Sequence, residues 1–328
     1  MTPSAFLTDL QRKPRALRHL AELLSSEDPW AGLDFVPSRV VLVAMGSSAY
    51  AASVAAARMR ARGLVAVAEL ASSDLLPSWG ADTLVVAISA GGGSVETLDA
   101  LRRVHPDATV VALTNTPSSE LASRCSLVVA MEAGVEEGGV ACRSFQHTLV
   151  LLLALEAHLL GSSRDPLIST VLDAATATSH LLSTESSWLP RVTSLLDGPA
   201  GAHVVAPARR ISSAQQAALM LREGPRRAAV ACEAGDWAHV DVYLTKNTDY
   251  RLLSFAGSAW DAGILEWTLP RSTVVVSVGG ELEGAAFTLR YPGDDDDDIR
   301  LLTEVLVAEL VAARMWLADS ARPGLSRP

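Results

Sequence analysis

A chain of 328 residues is long enough for two domains of ordinary size, each with its own hydrophobic core. The net charge of −10 argues against a nucleic-acid-binding surface, so an anionic ligand would have to be held locally, by backbone N–H groups and a few side-chain donors. The cysteines form no CxxC pair, which argues against a disulfide framework or a zinc site and favours reduced thiols: Cys125, Cys142 and Cys232.

The N-terminus lacks the long apolar core of a signal peptide. The longest apolar run, Leu149 to Leu160, is interrupted by Glu156 and His158 and is too short to span a bilayer. We therefore predict a cytoplasmic protein in which this run forms a buried helix.

The first half alternates between helical and strand patterns. Apolar side chains recur at helical spacing from Asp9 to Leu24, which predicts a leading helix. Five short β-branched runs follow, with helical stretches between them: Val40 to Met45, Leu64 to Glu69, Leu84 to Ser89, Thr109 to Thr114 and Leu127 to Met131. This alternation indicates a parallel sheet covered on both faces.

The second half repeats this plan after a helical segment from Leu167 to Leu182. Five runs predict its strands: Val204 to Ala206, Ala228 to Cys232, Arg251 to Phe255, Thr273 to Val278 and Phe287 to Tyr291. The last helix, Leu301 to Leu317, is too apolar for a surface and should pack across a core or a subunit interface. The two halves are therefore interpreted as two copies of one plan.

The junction from Val85 to Thr97 is the strongest functional signal. A buried strand runs into three glycines bracketed by Ser89 and Ser94, and a helix follows. Glycines let the backbone approach a ligand, and the free N–H groups at a helix start favour an anion, most naturally a phosphate. Small hydroxyl residues also follow two other predicted strands, at Met45 to Ser48 and at Thr114 to Ser119.

The glycine patterns argue against two common cofactors. Gly46 lacks the further glycines of a GxGxxG dinucleotide motif, and no P-loop lysine follows Gly91 to Gly93. A redox cofactor and ATP are therefore disfavoured.

Two residues of the second half could carry chemistry. A helix with Ala214, Ala217, Ala218 and Leu221 on one face reaches Glu223 and is stopped by Gly224-Pro225. The helix dipole opposes ionisation at that end, which could raise the glutamate pKa towards a useful range for a base. A solvated helix-end carboxylate is the simpler interpretation, and His239 could likewise be a packed imidazole supported by Trp237.

The run Asp294 to Asp298 resembles a metal site only in composition. Consecutive like charges in a loop cannot aim their carboxylates at one ion, so we predict a solvated loop whose charge favours the start of the next helix. No metal function is predicted.

These junctions resemble those of the sugar isomerase (SIS) family, which includes the isomerase half of glucosamine-6-phosphate synthase. Met45 to Ser48 is similar to the family's G-(T/S)-S turn, and Ser89 to Thr97 is similar to its SxSGxTxDT segment. The resemblance implies phosphate contacts from Ser48, Ser89 and Ser94. It implies that four further residues belong to the substrate site: Gly46, Ser47, Gly91 and Gly92. Gly91 replaces a serine of the family motif, so backbone N–H groups must supply more of the binding.

The resemblance continues through the second half. Glu137 to Phe145 resembles the family's E-x-G-V-A-(S/T)-T-K-x-F segment with one residue deleted, which implies that Val140 lines the sugar site. Leu221-Arg-Glu223 resembles the L-K-E that supplies the catalytic glutamate, and His239 falls at the family's histidine. By resemblance, Glu223 moves the proton between sugar carbons 1 and 2, and His239 assists ring opening from the neighbouring subunit.

The C-terminal tail departs from the family. Arg327 stands where the family's G-L-S-K-V-T tail has lysine. Arginine cannot form an imine or carry protons at neutral pH, but it could bind an anion or orient the substrate.

The fold that this resemblance implies is α/β, with two tandem flavodoxin-like SIS domains, each a doubly wound five-stranded parallel sheet. We expect an N-terminal SIS domain over residues 1–165 with its leading helix, a helical linker over 166–190, and a C-terminal SIS domain with its tail over 191–328.

The function expected from the resemblance is aldose–ketose isomerisation, or isomerisation or deamination of an amino-sugar phosphate. The expected substrate is a hexose or amino-hexose phosphate. We expect a homodimer that needs no cofactor. No glutaminase domain is expected. Two alternatives stay open: a fructosamine-phosphate deglycase, and a non-catalytic phosphosugar sensor, which the altered 89–94 loop and Arg327 favour.

Overall fold

A computed structural model describes residues 1–76, 80–271 and 273–321. Within these residues the chain forms two five-stranded parallel sheets in an α/β arrangement, which confirms the predicted fold class. The chain divides into two compact units. The first-sheet unit comprises residues 16–135 and 143–172, and the second-sheet unit comprises residues 1–15, 136–142 and those from 173 onward. These units are made of separate stretches of chain, whereas the predicted domains are continuous ranges. The predicted domain boundaries therefore stay a prediction.

The first sheet contains β1 (Arg39–Ala44), β2 (Ala66–Leu70), β3 (Thr83–Ile88), β4 (Thr109–Thr114) and β5 (Leu127–Ala130). All pairings are parallel, in the order β2-β1-β3-β4-β5. Every residue of β3 is buried, as expected for a strand covered on both faces. The five strands lie where the β-branched runs predict them.

Three helices follow the strands of this sheet, and a fourth completes the unit: α3 (Gly46–Ala61), α4 (Val95–Leu101), α5 (Glu120–Ser123) and α6 (Arg143–Leu159). Helix α6 is buried over residues 143–156, which confirms the buried helix predicted for the long apolar run. Over the residues that the structure describes, no helix combines the length and apolarity that a membrane span requires.

The N-terminal helix differs from its prediction. The chain forms α1 (Pro3–Gln11) and α2 (Lys13–Ser26) in place of one continuous helix. Pro14 explains the break, because its ring lacks an N–H and would clash with the carbonyl of Leu10 in a continuous helix, whereas the first turn of a new helix accepts it. The apolar face predicted for the helix is buried in both parts.

The second sheet repeats the plan of the first. It contains β6 (Ala202–Ala206), β7 (Ala229–Glu233), β8 (Arg251–Phe255), β9 (Val274–Val278) and β10 (Phe287–Leu289). Their order is β10-β9-β8-β6-β7. When β6 is counted as the first strand and the sheet is read from the β7 edge, this order is 2-1-3-4-5, which is also the order of the first sheet. The predicted duplication is confirmed at the level of topology.

The remaining helices are α7 (Asp165–Ser183), α8 (Glu185–Leu196), α9 (Ile211–Glu223), α10 (Asp261–Thr268), α11 (Asp297–Thr303) and α12 (Val305–Ser320). The helix predicted from Leu301 to Leu317 is divided at Glu304. Helix α12 packs against α9 and α1 and is buried over most of its length, so it belongs to the core of the second-sheet unit.

The solvated loop predicted for Asp294 to Asp298 is wrong for Asp294 and Asp297, whereas Asp296 is exposed at the start of the next helix as predicted. Asp294 is only 5% exposed and binds Arg290 through both carboxylate oxygens, at 2.6 and 2.7 Å. Asp296 caps α11, and Asp297 pairs with Arg210. These three carboxylates have separate partners, and the described residues contain no group of acids, histidines or cysteines that could hold a metal ion.

Candidate functional site

The order of the first sheet creates a crevice between β1 and β3. The chain leaves these neighbouring strands towards opposite sides, and such a switch point is where open parallel sheets bind ligands. Ala44 and Ile88, the last residues of the two strands, are paired. The segments 45–48 and 89–94 therefore start side by side, as the predicted phosphate site requires.

The start of α3 forms one side of this crevice. Gly46 has a φ of +53°, in the left-handed region that favours glycine, and Met45 before it supplies no oxygen to cap the helix. The backbone N–H groups of the first turn and the positive end of the helix dipole are thus available to an anion. Ser47 and Ser48 are half-buried beside them.

The glycines after β3 have distinct structural roles. Gly92 has a φ of +64° and is buried, and a Cβ there would lie 2.0 Å from the Oγ of Ser119. The absence of a side chain at Gly92 therefore lets residues 115–119, part of the third hydroxyl-rich segment, pack closely against the 89–94 loop. At Gly91 a Cβ would meet nothing within 4 Å, so the family serine that it replaces leaves open space.

Ser94 is engaged with its own helix. Its Oγ accepts a hydrogen bond from the Thr97 N–H at 3.3 Å and donates one to a carboxylate oxygen of Glu96 at 2.9 Å. Hydrogen bonds from its own backbone N–H and from Ser94 lower the pKa of Glu96, so that this exposed group is a carboxylate. A phosphate that uses the Ser94 hydroxyl as a donor must displace Glu96. Sequence reasoning missed this contact, although an acid in the first turn after a capping serine is its signal.

At the equivalent crevice of the second sheet, carboxylates of the chain itself accept hydrogen bonds from the backbone. The Glu233 carboxylate accepts backbone hydrogen bonds from Ala208 at 3.1 Å, Gly235 at 2.7 Å and Asp236 at 2.9 Å. At the end of β8, one oxygen of Asp261 accepts bonds from residues 257 and 258 in the same way. Of the two crevices, the first is therefore the one with backbone donors available to an external anion.

Glu223 lies at the C-terminal end of α9, as predicted. Glu223 is exposed to solvent, yet the protein atoms around its carboxyl group remove enough water to raise its pKa, an effect that the charge of Arg222 opposes. The cause thus differs from the helix dipole invoked from the sequence, but the direction is the one that favours a general base.

His239 follows a short 3₁₀ turn, Asp236–Ala238, and is exposed. Trp237, by contrast, is fully buried. The imidazole of His239 is therefore not a packed core group, and it can exchange protons with solvent or a bound molecule.

Val140 is 2% exposed and lies in a segment whose backbone is held by side chains of the same unit. Asp9 accepts a hydrogen bond from the Gly138 N–H at 2.7 Å, and the Gln216 amide donates one to the Ala141 carbonyl at 2.8 Å. The structure thus places the predicted phosphate residues in the first-sheet unit, and Val140, Glu223 and His239 in the second-sheet unit. Arg327 lies outside the described residues.

Comparison with known proteins finds one family model that matches part of this chain. Residues 36–157 match the model of the SIS domain. A glutamine–fructose-6-phosphate aminotransferase (isomerizing) of Aeropyrum pernix is 29% identical over 260 residues, which are 74% of this chain and 42% of that relative. The chain thus spans about two fifths of the length of the curated relative that it matches.

Two solved structures share the fold over nearly the whole chain. The C-terminal domain of glucosamine-fructose-6-phosphate aminotransferase from Francisella tularensis has a TM-score of 0.80 at 18% identity, covering 95% of this chain and 96% of that one. Tagatose-6-phosphate ketose/aldose isomerase from Escherichia coli has a TM-score of 0.78 at 16% identity, covering 96% and 92%. Both confirm the predicted fold of two doubly wound α/β domains.

Proposed function

We propose that this chain, whose residues 36–157 are a SIS domain, is an enzyme that binds a phosphosugar and moves a proton between its carbons 1 and 2. The observation that carries the proposal is the uncapped start of α3, which lies beside residues 89–94 at the switch point of the first sheet. A phosphate monoester matches its backbone donors and serine hydroxyls in charge and in hydrogen-bonding capacity.

Glu223 is the proposed base. Starting from an open-chain ketose, its carboxylate removes a proton from carbon 1 while oxygen 2 gains one, which gives an enediol. The same group then returns its proton to carbon 2 while oxygen 1 loses one, which gives the aldose. The raised pKa of Glu223 suits this role, because the group must both accept and release a proton.

His239 is the proposed ring-opening residue. A cyclic hexose phosphate opens when the bond between the anomeric carbon and the ring oxygen breaks, the ring oxygen gains a proton and the anomeric hydroxyl loses one. The exposed imidazole has two ring nitrogens, so it can supply the first proton and accept the second.

The substituent at carbon 2 determines the reaction. With oxygen there, proton transfer interconverts aldose and ketose. With an amino group there, the same transfer gives a ketose imine, which water converts to the ketose with release of ammonia. The relatives named above, an aminotransferase and an isomerase, support a hexose or amino-hexose phosphate as the substrate.

We also propose that the active form is a homodimer. Three apolar side chains beside His239 are exposed: Val240 at 52%, Tyr243 at 62% and Leu244 at 40%. A second copy that covered them would bury apolar surface next to the proposed ring-opening residue. Light scattering is then expected to give twice the chain mass of 34.5 kDa, and a mass of one chain would contradict the dimer.

A non-catalytic phosphosugar sensor is the second candidate. Gly91 supplies no hydroxyl, and Ser94 is already bonded to Glu96, so phosphate binding in this chain relies more on the backbone. The two functions differ in what Glu223 does, since a sensor needs no base.

The deciding experiment compares Glu223→Gln with the wild type for binding and for turnover of fructose 6-phosphate, glucose 6-phosphate and glucosamine 6-phosphate. An enzyme predicts retained binding with turnover reduced by a factor of about 100 or more, because a general base is lost. Glu266→Gln, an exposed change in the same unit, is the matched control and should leave both unchanged. Binding without turnover by the wild type would instead establish the sensor.

A further inference from the structure

His239 lies on a short tip of the chain between Trp237 and Asp241. The Asp241 N–H donates to the Trp237 carbonyl at 3.1 Å, and the His239 N–H donates to the Asp236 carbonyl at 2.8 Å. The imidazole is exposed, while the residues at the two ends of the tip are anchored to the second sheet. The orientation of His239 therefore depends on these two anchors.

An aromatic stack provides the first anchor. The ring of His203, a residue of β6, stacks on the ring of Tyr250 with centroids 4.1 Å apart and an angle of 23° between the planes. The hydroxyl of Tyr250 accepts a hydrogen bond from the Trp237 indole N–H at 2.8 Å. Trp237 is thereby fixed to the sheet through Tyr250.

A buried pair of polar atoms provides the second anchor. Nδ1 of His203 lies 3.6 Å from Oδ2 of Asp241, and each atom is buried without a hydrogen-bond partner. A buried polar atom without a partner is costly, so the two groups stabilise each other when Nδ1 carries a proton. The aspartate thus favours one protonation pattern and one ring orientation of His203.

The neighbouring titratable groups do not compete for this role. Burial, together with the negative charge of Asp241, raises the pKa of Cys232 to about 12 and raises that of Tyr250 well above its usual range. Both side chains stay neutral near neutral pH. Neither of them can therefore pair with Asp241 as a cation, and His203 is the neighbour whose Nδ1 faces that carboxylate.

We propose that His203 and Asp241 are positioning residues for His239: their contact holds the 237–241 tip so that the His239 imidazole is presented for ring opening. This inference rests on the proposed function, and it adds two residues that touch neither the sugar nor the reacting atoms.

The test separates ring opening from proton transfer. Fructose 6-phosphate must open before carbon 1 can exchange its hydrogen, whereas 5-deoxyfructose 6-phosphate lacks the ring oxygen and is always open. Exchange of the carbon 1 hydrogen for solvent deuterium is measured by NMR for both sugars. With Asp241→Asn or His203→Gln, exchange into fructose 6-phosphate should fall on the order of tenfold, because the imidazole is displaced, while exchange into the deoxy sugar should not change.

Several comparisons make this outcome specific. His239→Asn should give the same selective loss, and the Asp241→Asn/His203→Gln double variant should lose no more than either single variant if one contact is responsible. Asp249→Asn is the matched control, because it removes an exposed partner of Arg251 in the same unit, and it should leave the ratio of the two rates unchanged. If the buried substitutions prevent folding, Tyr250→Phe removes only the hydroxyl that holds Trp237 and should give a smaller selective loss.

Equal loss on both sugars, or no loss on either, would overturn the positioning role while leaving the proposed function intact. A wild-type protein that exchanges hydrogen into neither sugar would instead refute the proposed function, and the inference with it.

Discussion

At the scale of single residues, the candidate site depends on where carboxylates lie relative to hydrogen-bond donors. In the first crevice Glu96 accepts a hydrogen bond from the Ser94 hydroxyl. In the second crevice Glu233 and Asp261 accept hydrogen bonds from backbone N–H groups. Glu96 differs from the other two because it is exposed and can move away when a phosphate arrives.

Glu96→Gln is expected to tighten phosphosugar binding several-fold. The substitution removes a negative charge from beside the phosphate and weakens the contact that holds the Ser94 hydroxyl. Calorimetric titration with glucose 6-phosphate measures the change, and the gain should shrink at high salt because exposed charges are screened. Weaker binding by this variant would contradict competition between Glu96 and phosphate.

The pH dependence of turnover follows from the raised pKa of Glu223. The carboxyl group must be deprotonated to act as a base, so activity should fall as the pH drops through its raised pKa. The acidic limb of kcat/KM in the wild type is therefore expected above pH 4.5, the ordinary value for glutamate. A limb at or below that pH would show that burial does not control this group.

At the scale of elements, the N-terminal helices are joined to the core of the second-sheet unit by a buried ion pair. Lys13, the first residue of α2, binds Glu309 of α12, and neither side chain is exposed. Asp9 of α1 accepts the hydrogen bond from the Gly138 N–H, so α1 holds the segment that contains Val140.

Lys13→Met should destabilise the protein by about 3–5 kcal/mol, because Glu309 would remain buried without its cation. Urea unfolding followed by circular dichroism gives the change. The double variant Lys13→Met/Glu309→Leu should recover much of the loss, since an apolar pair leaves no uncompensated charge. Equal stability of the wild type and the single variant would show that the pair contributes nothing.

At the scale of the whole molecule, the topology could be predicted from the sequence. The hydrogen bonds of Glu233 and Asp261 to the backbone at the second crevice could not. Local patterns were enough for the strands, because each is a short β-branched run and the order of helices and strands restricts a parallel sheet to few arrangements. The sequence also identified residues 45–48 and 89–94, since glycines and serines after buried strands are a local signal.

Partners distant in sequence could not be predicted. Asp297 lies in a run of aspartates for which the sequence predicts a solvated loop. In the structure it forms ion pairs with Arg209 and Arg210, which are distant from it in the chain. The same is true of the pair formed by His203 and Asp241, which are separated in the chain by α9 and β7. Such contacts depend on tertiary packing, which no periodicity encodes.

Because Glu233 and Asp261 occupy backbone donors at the second crevice, we expect one phosphosugar site per chain. Calorimetric titration of the wild type with glucose 6-phosphate should give a stoichiometry of one sugar for each chain. Two equivalent sites per chain would show that Glu233 and Asp261 do not close the second crevice.

The most direct test of the account as a whole is the exchange of sugar hydrogens with solvent. The wild-type protein is incubated in deuterated water with fructose 6-phosphate, glucose 6-phosphate or glucosamine 6-phosphate, and carbons 1 and 2 are followed by NMR. We expect deuterium to enter one of these positions in at least one sugar, and we expect Glu223→Gln to abolish its entry. Absence of deuterium from both carbons of all three sugars, or full exchange by Glu223→Gln, would contradict it.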